Sequence, residues 1–206
     1  RFGLSAPLTD EIREREKKCS QRLNYIVCTS KNVVPIYAEA FGVDESRILP
    51  LGSPRTDRLF NNDIENLRAD FDKKHPECKG KKLILFAPTF RDSAEKDAAL
   101  LNGIDSKKFA AELPEYALLT KLHPQIHSSK PIEGATDVTD FPDVRKLILA
   151  ADVLVTDYSS ICMDFAFLDK KTVFFAYDLD WYTERRDFYF DYESFVPGAV
   201  AKTADE

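Results

Sequence analysis

A chain of 206 residues with 44% hydrophobic composition is long enough for a substantial core, or for one complete domain with part of another. Its net charge of −6 provides no electrostatic footprint for DNA or RNA, which argues against a nucleic-acid partner. No apolar run approaches the ~20 residues of a membrane helix, and "RFGLSAPLTDE" lacks the apolar core of a secretory signal. The four cysteines, Cys19, Cys28, Cys78 and Cys162, form no CxxC pair and read as free thiols suited to a reducing compartment.

In chain order, "YIVCTS" at 25–30 reads as a short strand entering "KNVVPIYAEAFGV", which has helical spacing despite Pro35 and ends at Gly42. "ILPLGS" at 48–53 is a second strand, completing one βαβ unit. The polar stretch "PRTDRLFNNDIENLRADFDKKHPECKG" then reads as a linker followed by a surface helix, with a domain boundary near it. After Lys82 the strand pattern resumes in "LILFAP", "YALLTKL", "DVTDF", "DVLVTD" and "TVFFAY", with a helical stretch at "DVRKLILAA". Continuous apolar runs of this kind are covered on both faces, so the fold class is α/β: a parallel sheet flanked by helices.

Ligands of such sheets bind beyond the carboxyl ends of the strands, which directs attention to the polar residues that follow each run. "TDYSS" ends a buried strand at two hydroxyls, Ser159 and Ser160, with Asp164 one turn into the following helix. The spacing fits an ordinary helix cap with a surface carboxylate somewhat better than a phosphate seat with a ribose-binding Asp164. His123 sits at a strand exit before Pro124, in reach of a phosphate if it faces the same cleft. Its spacing from His127 resembles a metal pair, but Pro124 argues against the helix such ligation requires, so no metal is expected.

Thr89, Arg91 and Asp92 follow the strand at 83–87, where Arg91 fits a diphosphate clamp and a plain Arg91–Asp92 surface turn equally well. Asp178 and Asp180 form a weak DxD pair. Arg185 and Arg186, with Phe188, Tyr189, Phe190 and Tyr192, make either a basic-aromatic loop over a nucleotide or rings packed on the core. Walker, GxGxxG and GxSxG motifs are missing from the sequence, which removes support for P-loop enzymes, common dehydrogenases and α/β-hydrolases.

Together, "LILFAPTFRD", "TKLHP", "VTDYSSICMDFAFLDKKTVFFAYDLDWYTERRDFYFDYE" and "VPG" resemble the CDP-glycerol glycerophosphotransferase family, the teichoic-acid-type polymerases and primases. The motifs occur in the family's order over 48–198, and "ILPLGSPRTDRLF" is similar to its crossover between two Rossmann-like domains. The resemblance implies a GT-B fold. Residues 1–60 would end the N-terminal, acceptor-side domain, 61–79 would be a linker and surface helix, and 80–206 would form a truncated donor-binding domain.

It further implies a donor-nucleotide site at Ser159, Ser160 and Asp164, with His123 stabilising the leaving group and Thr89, Arg91, Arg185 and Arg186 assisting. Lys121 stands where the family often has arginine, keeping a cation without the planar fork. No His-Gly occurs here, so the family's acceptor base is expected upstream of Arg1. The implied donor is CDP-glycerol or a related CDP-polyol, the acceptor a polyol phosphate or glycan, and no cofactor is needed. The implied location is cytoplasmic, peripheral at the inner face of the membrane. A GT-B enzyme acting on a UDP-sugar and a noncatalytic nucleotide-binding module are the alternatives.

Overall fold

The computed structural model describes residues 9–60, 62–124, 126 and 132–206, and the chain divides into two compact units. The first joins residues 1–60 to 178–195, and the second joins 61–177 to 196–206.

In the first unit, helix α1 (Asp10–Ser20) starts at Thr9, whose hydroxyl accepts the Ile12 N–H, with acids in its first turn and lysines in its last. Strand β1 (Ile26–Cys28) pairs in parallel with β2 (Ile48–Pro50). Helix α2 (Val34–Phe41) connects them. Pro35 is tolerated because it lies in the first turn, where its missing N–H has no helical partner to lose. Gly42 closes the helix at φ 62°, in the left-handed region. Ile26, Cys28, Ala38 and Ile48 form a small core under this unit. Two further helices, Leu179–Arg186 and Tyr192–Phe195, return to the same unit, where the Tyr189 hydroxyl bonds the Glu39 carboxylate.

The second unit opens with α3 (Ile64–Lys74), capped by Asp63, and is built on six parallel strands. These are β3 (Lys82–Phe86), β4 (Tyr116–Thr120), β5 (Thr136–Asp137), β6 (Val153–Thr156), β7 (Lys171–Phe175) and β8 (Ala199–Ala201). Their spatial order is β5-β4-β3-β6-β7-β8. Helices α4 (Ala94–Asn102) and α5 (Ser106–Glu112) lie between β3 and β4, α6 (Val144–Ala150) precedes β6, and α7 (Ile161–Ala166) links β6 to β7.

Leu83 to Phe86 are all buried, so β3 is covered on both faces, as its unbroken apolar run implies. Ile84 and Phe86 join Leu100, Leu101, Leu118 and Phe175 in one core cluster. Leu83 and Leu85, pointing the other way along the strand, are fully buried, as are Leu147, Ile148 and Phe165. "DVTDF" contributes only its first residue to a strand, because β5 is the two-residue edge Thr136–Asp137. No helix among the described residues is long and apolar enough to cross a membrane.

Candidate functional site

From β3 the chain proceeds outward to β4 and β5, and from β6 it proceeds the opposite way to β7 and β8. The loops that leave β3 and β6 therefore diverge, and the crevice between them is the topological switch point where open α/β sheets bind ligands. Thr89 and Arg91 lie on the first of these loops, and Asp157, Ser159 and Ser160 on the second.

Asp157 ties the two loops together. Its Oδ1 accepts the Thr89 N–H at 2.8 Å and the Tyr158 N–H at 2.6 Å, while its Oδ2 accepts Arg91 Nη1 at 2.9 Å. Burial pushes the Asp157 carboxyl up, and the Arg91 charge and the Thr89 donors oppose it. The same Arg91 Nη1 also donates to the Thr89 carbonyl at 2.7 Å, and the guanidinium lies over the rings of Tyr158 and Tyr177 at 5.1 and 5.8 Å. Arg91's own N–H donates to Asp97 Oδ1 at 2.6 Å, which anchors the loop to α4. The Thr89 hydroxyl is buried without a hydrogen bond of good geometry, although it lies near enough to Asp157 to help depress that carboxyl.

Arg91 is thus placed inside the loop, with its side chain fully buried against Asp157 rather than in an Arg91–Asp92 surface turn. His123 is brought in from the exit of β4, the strand on the other side of β3. Its imidazole packs on the Phe90 ring with centroids 4.6 Å apart. Beside it, Lys121 Nζ bonds the Thr139 carbonyl and the Leu122 N–H reaches the Thr139 hydroxyl at 3.1 Å. His127 lies outside the described residues.

Ser159 Oγ accepts the Ile161 N–H at 3.4 Å and so caps α7, as the sequence suggests. Ser160 makes no such cap, because its backbone is already helical at φ −65°, ψ −4°, and its side chain stays exposed. Asp164 is 6% exposed, which removes the reading of it as a surface carboxylate. Arg185 and Arg186 belong to the other unit, where their guanidinium groups lie over Trp181 at 4.9 Å and Tyr182 at 5.7 Å. Among the described residues no group of three or more His, Cys, Asp or Glu is placed to hold a metal ion.

Sequence reasoning missed Asp157, Asp97, Tyr158 and Tyr177. The available signal was Asp157 itself, an acid directly after four strand residues whose apolar run demands burial.

Comparison with known proteins agrees with the resemblance. A family described as CDP-glycerol:poly(glycerophosphate) glycerophosphotransferase matches residues 2–206. The chain is 39% identical, over 88% of its length and 30% of the relative's, to the teichoic acid poly(ribitol-phosphate) polymerase of Bacillus spizizenii. It is 34% identical to the teichoic acid glycerol-phosphate transferase of Staphylococcus aureus, over 94% of this chain and 52% of that one. The structure of the wall teichoic acid polymerase TagF superposes with a TM-score of 0.80 at 31% identity, covering all of this chain and 53% of TagF. The fold is therefore the GT-B-type α/β arrangement expected from the sequence.

Proposed function

Because the chain belongs to the CDP-glycerol:poly(glycerophosphate) glycerophosphotransferase family, we propose that it forms the donor-binding part of a teichoic-acid-type polyol-phosphate transferase. The observation that carries this reading is the meeting of three strand exits at the switch point. Asp157 links the β6 exit to the β3 exit, and Phe90 links the β3 exit to His123.

In this reading the Ser159 and Ser160 hydroxyls hold the donor phosphates at the start of α7, and Asp164 accepts from the ribose. An acceptor hydroxyl attacks the phosphorus that bears the polyol, the bond from that phosphorus to the bridging oxygen breaks, and CMP leaves with the bridging oxygen. His123 stabilises the charge that develops on the leaving phosphate.

The resemblance assigns the acceptor base to the histidine of a His-Gly motif, which does not occur in these 206 residues, so in this reading the proton of the acceptor hydroxyl goes to a base outside this chain. The 206-residue chain alone is accordingly expected to bind donor without turnover. The acceptor is a polyol phosphate or glycan of a cell-wall polymer, and the enzyme works at the inner face of the membrane where that polymer grows. The identity of 39% to a ribitol-phosphate polymerase, against 34% to a glycerol-phosphate transferase, favours ribitol over glycerol as the polyol.

Calorimetric titration of the chain with CDP, UDP and ADP tests donor class, with CDP binding tightest. A preference for UDP would transfer the assignment to the UDP-sugar enzymes. CMP release by the intact protein, given a polyol-phosphate primer and either CDP-ribitol or CDP-glycerol, tests the reaction and the polyol. Donor binding by the intact protein without CMP release would leave a noncatalytic binding module.

A further inference from the structure

The Asp157–Arg91 pair is an unusual way to fill space at the mouth of a crevice. Its side chains are 1% and 0% exposed, so both charges are stripped of water. Removing water from two ions offsets much of their attraction, and an apolar pair of similar volume commonly stabilises a fold at least as well. What an apolar pair cannot do is fix the orientation of the two peptide groups that flank a residue.

That is what this pair does. Thr89 is held at both of its flanking peptide groups, its N–H by Asp157 Oδ1 and its carbonyl by Arg91 Nη1. The Asp157 carboxylate meanwhile accepts the N–H of Tyr158, the residue immediately before Ser159. The two divergent loops are thereby cross-linked through this ion pair. Arg91 is itself braced by Asp97 on α4 and by the faces of Tyr158 and Tyr177.

We infer that Asp157 and Arg91 are positioning residues that set the Thr89 loop and the Ser159–Ser160 turn for the donor's diphosphate, without either side chain touching the donor. The inference rests on the donor-site reading above. It reassigns Arg91 from a direct clamp on the diphosphate to a brace behind the residues that face it. The short polar contacts of a phosphate site need their donors placed to within a fraction of an ångström, and a loosened turn loses them while leaving the nucleoside contacts in place.

The test uses the intact protein and two variants, Arg91→Lys and Asp157→Asn, with Ser160→Ala for reference. Lysine keeps the positive charge beside Asp157 but cannot reach Thr89 and Asp157 together while lying flat on two rings. Asparagine keeps the shape of Asp157 but turns an N–H₂ donor or a neutral oxygen toward the guanidinium. Affinity for CDP is measured directly, and affinity for cytidine by competition, alongside melting temperature.

Each folded variant is expected to lose 10-fold or more in CDP affinity with less than a 2-fold change for cytidine. A purely structural role would lower the melting temperature and leave the ratio of CDP to cytidine affinity unmoved. A folded variant that binds CDP within 2-fold of the unsubstituted protein, or that loses both ligands equally, overturns the inference. Failure of both variants to fold assigns the pair to the core and overturns it as well. If the unsubstituted protein binds no CDP, or Ser160→Ala binds it unchanged, the donor-site reading fails instead.

Discussion

Asp157 Oδ1 accepts the Thr89 N–H at 2.8 Å across 68 positions of sequence, closing the gap between two loops that leave the sheet in opposite directions. On the far side of that bond Phe90 carries its ring onto His123, so the exits of β6, β3 and β4 form one continuous rim. Ser160 and His123 stand at its two ends.

Replacing either Ser160 or His123 by alanine is expected to weaken CDP binding by about 1.5 to 3 kcal/mol, the range for one hydrogen bond to a charged group. The fold should be spared, because Ser160 is exposed and makes no helix cap. Titration beside circular dichroism decides the matter: two folded variants that bind CDP like the unsubstituted protein would misplace the site.

Much of this rim was legible before the fold was known, and what was not has a physical reason. The exits of β3, β4 and β6 were found because each follows an unbroken apolar run such as Leu83 to Phe86. The order of strands was invisible, since apolar runs report burial and not pairing partners. The tie made by Asp157 was not legible because Thr89 and Arg91 lie 68 and 66 positions away from it. Helix α1 was hidden by its own composition: "DEIREREKKCS" has only Ile12 and Cys19 as apolar anchors and reads as a solvated charge run. Strand β8 escaped notice because Ala199–Ala201 offers small side chains, and its burial comes from β7 beside it.

Helix α6 gives a prediction about pH. Asp143 caps it by accepting the Arg145 N–H at 3.1 Å, and the Arg145 side chain returns two bonds of 2.8 Å to the same carboxylate. The Arg145 side chain is the main reason the Asp143 pKa lies below its ordinary value, with the backbone N–H assisting. Asp143→Ala is expected to destabilise the protein by about 1 kcal/mol near neutral pH. A carboxylate whose folded pKa is depressed adds its stability above the unfolded pKa, and that stability is lost as pH falls through the folded value. The gap between Asp143→Ala and the unsubstituted protein should therefore close in acid, below about pH 3.8. Urea unfolding at a series of pH values measures it, and a gap that persists unchanged into acid would remove the ionised cap from the account.

The cysteines differ in a way that labelling can read. Cys19 is exposed on α1, whereas Cys28, Cys78 and Cys162 are buried. Burial also pushes the Cys78 and Cys162 thiols above their usual pKa, which lowers the fraction of reactive thiolate. At neutral pH a thiol reagent should titrate one group quickly and the other three only after denaturant is added. Fast reaction of Cys162 in the native protein would show that α7 opens readily, and with it the Ser159–Ser160 turn.

Gly198 supports the last prediction. It is the glycine of "VPG", and it enters β8, which pairs in parallel with β7 through Ala199 and Val173. Its own dihedrals do not require glycine, so the constraint is space. A Cβ built there would stand 2.3 Å from the Thr172 carbonyl oxygen and 3.1 Å from the Phe174 ring. The first contact is with the backbone of a strand inside the sheet, which no rotamer change relieves, and Phe174 is itself fully buried. Gly198→Ala must push β8 away from β7 or strain the turn before it, a cost on the order of 1 to 3 kcal/mol for overpacking of this kind. Gly80→Ala serves as the contrast, because its Cβ meets nothing within 4 Å and its φ of 78° makes the penalty one of backbone strain alone. In denaturant melts both variants should lose stability, but only Gly198→Ala should also speed hydrogen exchange along Lys171–Phe175. Protection of β7 amides equal to that of the unsubstituted protein would show that the sheet edge absorbs the methyl group, and that close approach is not why glycine stands there.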